Sequence, residues 1–339
     1  MNNLETSYMS IKLSSPVILG ASDLTSDLGV LKKAEDQGVA AVVYKTLFEE
    51  QIQMENLHHD EKISQYNDIH AEMITLHPDV ERSDIEYYLV KLRKVKEGLS
   101  IPVIASLNCV NESSWFRYAK MIEETGVDGI ELNLYQTPVS FDLDATTIEQ
   151  RQADIVAAIK QQLIIPVSVK LSSDYTNILH FAKQLDEKGV DGMVLFNAFF
   201  QPDVDIWHES HRRAFNLTHK GEYKKSLRYA GMLYGRIKAG ICSSRGIYSG
   251  EDVIKVLLSG ASCVQVVSAV YRHGMERIGE INREISDWMQ RKEYTHIDQF
   301  RGKLSDSVLN KNNTLLIYKR AQYIDMLLHS DKMLEDLEW

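Results

Sequence analysis

The stretch that decides the fold spans residues 188–194 and has the sequence KGVDGMV. A charge-rich amphipathic segment precedes Gly189, and an apolar run without polar alternation follows it. Glycine suits the left-handed turn that ends a helix, and a continuous apolar run is typical of a strand buried on both faces. The stretch therefore predicts a helix, a tight turn and a buried strand in succession.

The same unit recurs along the chain, which indicates a fold built by repetition. It returns at residues 37–43, 125–130 and 259–264. A second kind of apolar run begins with Ile-Pro, at residues 101–106 and 165–170. Proline fits the first position of a strand, where its missing N–H is not needed. Together with two further apolar runs, these predict eight strands, which start near residues 16, 40, 102, 128, 165, 191, 237 and 262.

Helical patterns separate the predicted strands, for example at residues 113–124, 147–162 and 177–188. Strands that alternate with helices form a parallel sheet with right-handed crossovers. Eight such units favour a closed (β/α)8 barrel, the TIM barrel. An open doubly wound sheet is the second interpretation, but no GxGxxG motif opens a first helix, which disfavours a dinucleotide-binding fold.

Three segments fall outside the repeat. A polar, His-rich insertion at residues 49–82 follows the second strand, and another at 200–225 follows the sixth. In a barrel both would lie over the mouth. We expect residues 1–310 to form the barrel and residues 311–339 to form a helical extension, because apolar residues of the tail recur at helical spacing.

Composition limits the classes of function. The net charge of −10 argues against nonspecific nucleic-acid binding, which requires a basic surface. The three cysteines, Cys109, Cys242 and Cys263, are too few for a disulfide framework and too scattered for a zinc site. The sequence shows neither a signal-like N-terminus nor an apolar run of the ~18 residues that a membrane span needs. A reducing cytoplasm is the expected location.

Polar residues stand where the predicted strands end, which in a barrel is the face that carries function. A lysine buried without a partner is costly, so Lys45 and Lys170 should face a cavity or an anion. Asn133 and Asn197 both donate and accept hydrogen bonds, which suits a ligand edge with N–H and C=O groups. The full set of strand-end residues is Ala21, Ser22, Lys45, Ser106, Asn108, Asn133, Lys170, Asn197, Ser243, Ser244, Arg245, Gly246, Val267 and Ser268.

The last two predicted strands lead directly into predicted helices, one at residues 248–258 and one from Ser268 onward. Helix N-termini that follow strands seven and eight are the usual phosphate site of such barrels. The sequence therefore predicts a ligand that carries a phosphate.

The ordered segments SPVILGAS, VVYKT, IPVIASLN, GIELNL, IPVSVKL, VLFN, SRGIYSGEDVIKVLLSGAS and VQVVSAV carry a family resemblance. From about residue 6 to 300 the chain resembles the dihydroorotate dehydrogenases, and more closely their relatives of unassigned substrate. The resemblance implies a homodimeric barrel that binds flavin mononucleotide (FMN) at its mouth. It also implies hydride transfer between flavin N5 and a small planar polar substrate, such as dihydroorotate in pyrimidine biosynthesis. A reductase that adds hydride to a conjugated double bond would use the same cofactor geometry.

The resemblance assigns roles to individual residues. Lys170 matches the lysine at the flavin N1/O2 edge, whose charge stabilises the reduced ring. Lys45 matches the lysine beside the ring and the substrate, and Asn133 matches the first Asn of the family's NLS segment. These three are the predicted catalytic residues. The predicted cofactor-binding residues are Ala21, Ser22, Lys45, Asn108, Asn133, Lys170, Asn197, Ser244, Arg245, Gly246, Val267 and Ser268.

The chain departs from the family at the catalytic base. Oxidation of dihydroorotate needs a base for the carbon-bound proton. The family segment NLSCPN reads NLYQTP here, so Gln136, which cannot act as a base, replaces the Cys, and Pro138 replaces the second Asn. In the phosphate loops Arg245 stands in place of the first of two glycines, and Val267 in place of another. Arg245 could pair with the phosphate or crowd the site.

Several alternatives follow from these departures. Cys109, with a pKa lowered by one of the two lysines, could replace the base. Tyr135 could do so only if its pKa were lowered. A third source of the base is a histidine of the first insertion, namely His58, His59, His70 or His77. Lys170 could instead form a Schiff base, as in aldolases, or the barrel could bind a partner without flavin. No metal site is expected.

Overall fold

The computed structural model describes residues 3–50, 52, 84–134, 140–198, 203–212 and 217–309. Within these ranges eight parallel strands form a closed barrel. In chain order the strands are β1 (Val17–Leu19), β2 (Ala41–Phe48), β3 (Val103–Asn108), β4 (Gly129–Asn133), β5 (Val167–Leu171), β6 (Gly192–Leu195), β7 (Gly240–Ser243) and β8 (Cys263–Val266). Their starts confirm the predicted ones to within a few residues.

The strands are arranged in sequence order around the barrel, and β8 closes it against β1. All neighbouring pairs are parallel, for example Lys170 of β5 beside Val194 of β6. Each β-strand is followed by a helix, so the predicted (β/α)8 barrel is confirmed and the open sheet is excluded. In such a barrel all eight strands end at the same face.

The helices within the described ranges form the outer layer. They are α1 (Leu28–Asp36), α2 (Asp84–Gly98), α3 (Glu112–Glu123), α4 (Ala145–Gln162), α5 (Ile178–Glu187), α6 (Lys224–Leu233), α7 (Gly250–Ser259), α8 (Ser268–His273), α9 (Glu276–Arg291) and α10 (Asp306–Leu309). Each long helix buries an apolar stripe against the strands, as Phe181 and Leu185 of α5 do. Glycine ends several helices as predicted, with Gly126 and Gly189 at positive φ.

An N-terminal hairpin closes the end of the barrel opposite the strand ends. Its strands, Thr6–Tyr8 and Ile11–Leu13, pair antiparallel. Tyr8 and Met9 are buried among side chains of the barrel interior. A Cβ at Gly192 would lie 2.6 Å from Cζ of Tyr8, so a glycine at the start of β6 makes room for the ring. This hairpin was not predicted.

Two of the predicted segments lie largely or wholly outside the described residues. Of the 49–82 insertion only residues 49, 50 and 52 are described, and residues 311–339 are not. The second insertion contains a short hairpin, Asp203–Asp205 with Ser210–Arg212, and its last residues lead into α6. No helix in the described ranges is both long enough and apolar enough to cross a membrane.

Candidate active site

A cavity of about 790 Å³ opens at the carboxyl ends of the barrel strands. This is within the range of small-molecule sites. The predicted strand-end residues that line it are Ala21, Ser22, Lys45, Asn133, Lys170, Asn197, Ser244, Arg245, Gly246, Val267 and Ser268. The structure thus brings together residues from seven strand ends that are far apart in sequence.

Asn108 is the predicted cofactor residue that does not line the cavity. Its side chain is buried, and Nδ2 donates a hydrogen bond to the main-chain oxygen of Asn133 at 2.6 Å. Asn108 therefore connects the ends of β3 and β4 behind the cavity wall. It supports the position of Asn133 rather than presenting a group to a ligand.

Lys170 lies at the floor of the cavity and has two buried partners. Its Nζ donates to Oε1 of Gln265 at 2.9 Å and lies 3.4 Å from Oε1 of Glu131. Nε2 of Gln265 in turn donates to Oε2 of Glu131 at 2.5 Å. Sequence reasoning missed Glu131 and Gln265, although each is a polar residue inside an apolar strand run, which is a signal of a buried polar contact.

Asn133 and Asn197 form the next part of the wall. Nδ2 of Asn197 donates to Oδ1 of Asn133 at 2.9 Å. This contact leaves the Nδ2 donor of Asn133 and the Oδ1 acceptor of Asn197 as polar groups beside the cavity. A donor and an acceptor side by side match the edge of a ring that carries N–H and C=O groups.

Lys45 faces the cavity because β2 is irregular near its end. The register of β2 against β3 shifts between Tyr44 and Leu47, so Lys45 and its neighbour Thr46 both line the cavity. Nζ of Lys45 pairs with Oδ1 of Asp23 at 2.6 Å. The two side chains are 40% and 71% exposed, so solvent weakens the pair. Asp23 and Thr46 were not predicted.

The loops after β7 and β8 form a further part of the wall. Thr218 connects the two loops. Its main-chain N and its Oγ1 both donate a hydrogen bond to Oγ of Ser268, at 3.0 and 2.8 Å. Oγ1 of Thr218 also accepts a hydrogen bond from Gly246 N at 3.1 Å. Gly246 has φ +61°, and a Cβ there would lie 2.4 Å from the main-chain oxygen of His219, so only glycine fits. Thr218 belongs to the second insertion and was missed.

Arg245 lines this wall and is only partly paired. Its Nη2 donates to Oε2 of Glu222 at 2.8 Å. Its Nε is buried and has no hydrogen-bond partner among the described residues. A buried donor without a partner indicates a missing acceptor, and a phosphate oxygen would supply one.

Only one of the two predicted helix N-termini reaches the cavity. α8 begins at Ser268, which lines it. α7 begins at Gly250, two residues later than predicted, and its first turn is capped internally. The Asp252 carboxylate accepts from the N–H groups of Tyr248 and Ser249, at 2.9 and 3.0 Å. The prediction for the α7 terminus is therefore wrong, because a capping box already satisfies its donors.

The structure contradicts the alternative in which the pKa of Cys109 is lowered. Burial raises the pKa of the Cys109 thiol well above its usual range, and the nearby carboxylates of Glu49 and Glu50 raise it further. Cys109 does not line the cavity. The other candidates for the base, Tyr135 and the four histidines, lie outside the described residues, as does Gln136.

Comparison with known proteins identifies the family. A sequence model of the family described as dihydroorotate dehydrogenase matches residues 80–289, which is more than half of the chain. The chain belongs to the dihydroorotate dehydrogenase family. Members of this family are oxidoreductases that act on CH–CH groups, and the chain is an enzyme of this class.

Curated relatives of the family span nearly the whole chain. The catalytic subunit of dihydroorotate dehydrogenase B (NAD(+)) from Thermoplasma volcanium is 27% identical, over 89% of this chain and 98% of its own length. The subunit of the same name from Methanocaldococcus jannaschii is 27% identical, over 86% and 95%. A chloroplastic dihydropyrimidine dehydrogenase (NADP(+)) from Arabidopsis thaliana is 20% identical, over 88% and 76%. These relatives are thus named for two different substrates, dihydroorotate and a dihydropyrimidine.

Proposed function

We propose that the chain is an FMN-dependent oxidoreductase that moves hydride to or from a CH–CH bond of a small, planar, polar ring. The observation that carries the proposal is the polar lining of the cavity. It presents the amine of Lys170 and the amides of Asn133 and Asn197, together with Arg245 and the main chain around Gly246. Amides and an amine in the same cavity as an arginine suit a ligand with a polar ring at one end and a phosphate at the other.

The residues present fit FMN in this arrangement. Arg245, Gly246 and Ser268 would hold the phosphate, and the unpartnered Nε of Arg245 is a donor that a phosphate oxygen could satisfy. Lys170 would lie beside the ring and stabilise negative charge there. When bound, FMN supplies the hydride chemistry. The protein's own contribution is to orient the ring, to place a positive charge beside it and to exclude water.

Two substrates are candidates. Dihydroorotate oxidation to orotate, in pyrimidine biosynthesis, follows from the family. An uncharged dihydropyrimidine is the second candidate, and the ion pair between Lys45 and Asp23 favours it. Asp23 offsets the charge of the lysine that would otherwise face a substrate carboxylate, and the exposed Glu50 adds a negative charge at the same cavity. Turnover of each compound, measured with the same flavin-loaded protein, distinguishes them.

The structure gives the Schiff-base alternative no support. A lysine that attacks a carbonyl is activated by apolar surroundings or by another cation. Lys170 instead pairs with the buried carboxylate of Glu131. Borohydride trapping with a carbonyl substrate would detect a Schiff base, and we expect none to form at Lys170.

The visible spectrum tests the proposal directly. Purified protein, or protein incubated with FMN and then desalted, should absorb near ~450 nm because the isoalloxazine ring is retained. A colourless protein that takes up no FMN would refute the proposal and favour a flavin-free binding protein.

Lys170→Met should slow the reduction of bound flavin by substrate about 100-fold, because a preorganised charge beside the developing negative charge is lost. Stopped-flow absorbance measures this rate. Lys183→Met is the matched control, since Lys183 lies on the outer surface of α5 and is 68% exposed. Equal rates in the two variants would remove Lys170 from its proposed role.

A further inference from the structure

A buried carboxylate lies directly behind the lysine of the candidate site. Glu131 is 1% exposed and does not line the cavity, whereas Lys170 and Gln265 do. Lys170 and Gln265 therefore lie between the cavity and the carboxylate of Glu131. Glu131 lies two residues before Asn133 on β4, so both side chains point to the same side of the strand.

The three side chains form a closed set of contacts. Glu131 receives the amide of Gln265 on Oε2 and faces Nζ of Lys170 with Oε1, while Gln265 accepts from the same Nζ. Gln265 is 2% exposed and Lys170 9%, so water screens these groups little. The lysine is thus fixed in position by two neighbours, one of which carries the opposite charge.

The charges oppose each other in their effect on a ring in the cavity. The lysine favours negative charge on the ring, and a carboxylate a few ångströms behind it cancels part of that field. In surroundings of low polarity such an effect is much larger than in water. The field that reaches the cavity is therefore set by the pair and not by Lys170 alone.

We propose that Glu131 is a positioning residue that lowers the midpoint potential of the flavin. Through Gln265 it holds Lys170 in place, and by its charge it limits how strongly the lysine favours the reduced ring. The inference rests on the proposed FMN site.

The test is the midpoint potential of the full chain loaded with FMN, measured by equilibration with a reference dye. Glu131→Gln removes the negative charge and nearly preserves the shape. We expect the potential to become more positive by at least about 30 mV, which is a tenfold change for a two-electron couple. Lys170→Met should shift the potential in the opposite direction.

Two control variants distinguish the effect of the lost charge from a perturbation of the fold. Glu131→Asp keeps the carboxylate and should restore the potential toward the wild-type value. Glu124→Gln, at an exposed position after α3, should leave it unchanged. Circular dichroism shows whether each variant folds. If Glu131→Gln does not fold, Glu131→Met removes the same charge and should give the same shift.

The outcomes are distinct. An unchanged or more negative potential in a folded, FMN-loaded Glu131→Gln protein overturns the inference and leaves the proposed function intact. Failure of both charge-removing variants to fold would make Glu131 a structural residue and overturn the inference as well. A wild-type protein that binds no FMN refutes the proposed function itself, and with it this inference.

Discussion

Arg245 shows how one residue can combine backbone strain with a functional group. Its φ of +73° lies in the left-handed region that favours glycine, and its guanidinium is held by Glu222 beside the cavity. The cost of this conformation is about 1–3 kcal/mol for a non-glycine residue. A side chain that remains at such a position is expected to have a use, and a phosphate contact is the use proposed above.

Arg245→Gly should weaken the binding of FMN about tenfold or more, because a charge-assisted hydrogen bond to phosphate is lost. Riboflavin, which has the ring but no phosphate, should bind the variant as it binds the wild type. Fluorescence quenching of each flavin on titration with apoprotein measures both affinities. Tighter FMN binding by the variant would show instead that Arg245 crowds the site.

At the residue scale, the sequence predicts those site residues that lie at the carboxyl ends of the strands. Lys170, Asn133 and Asn197 are predictable because each is a polar residue close to the end of an apolar strand run. Glu131 and Gln265 were missed because they lie inside the strands, and their meeting depends on how the barrel closes. Thr218, Glu222 and Asp23 come from an insertion or a short turn, where no periodic pattern indicates which side chain faces the cavity.

At the element scale, Glu49 joins the end of β2 to the start of α3. Its carboxylate accepts hydrogen bonds from Val110 N, Asn111 N, Asn111 Nδ2 and Ser114 Oγ, at 2.6 to 2.9 Å. Burial alone would raise the pKa of Glu49, but the hydrogen bonds from Asn111, Ser114 and Val110 outweigh it and hold the pKa below 4.5. The carboxylate thus caps the helix from another element.

Glu49→Gln should lower the free energy of unfolding by about 1–3 kcal/mol at neutral pH, since an amide cannot satisfy all four donors. Because the folded pKa is depressed, the contribution of Glu49 is present above pH 4.5 and is lost as the pH falls through the lower folded value. Urea unfolding of both proteins from pH 7 to 3 should show the difference shrinking at the acid end. Glu124→Gln serves as the exposed control, and a difference that does not depend on pH would contradict the assignment.

The fit of Tyr8 into the barrel gives a second prediction at this scale. Gly192→Ala would place a methyl group 2.6 to 2.7 Å from three atoms of the Tyr8 side chain. We expect a loss of about 1–3 kcal/mol of stability from overpacking. In a Tyr8→Leu background most of that loss should disappear, because the clash is gone. Urea unfolding of the double-mutant cycle measures the coupling, and additive effects would contradict the contact.

Element boundaries were predictable where hydrophobic periodicity defines them. The predicted helix at 147–162 is observed as α4, Ala145–Gln162, and the predicted helix at 177–188 as α5, Ile178–Glu187. The start of α7 was placed too early because the capping contact between Ser249 and Asp252 decides it. Capping chemistry acts over three residues, whereas the apolar pattern averages over several turns.

At the scale of the whole molecule, residues 3–309 contain the closed barrel and the cavity lining that the structure describes. We therefore propose that residues 1–310 form the folding unit. A chain that ends at residue 309 should remain folded and retain FMN, with a melting temperature within a few degrees of the full chain. Differential scanning calorimetry and the visible spectrum check this, and aggregation of the shortened chain would assign the tail to the folded core.

The N-terminal hairpin limits the route by which a ligand can reach and leave the cavity. Tyr8 and Met9 are buried among the side chains that fill the barrel interior, so the end opposite the cavity is closed by packed side chains. A ligand that binds beside Lys170 therefore enters and leaves at the face where the barrel strands end. The path of each reactant and each product is therefore governed by the rim on one side of the molecule alone.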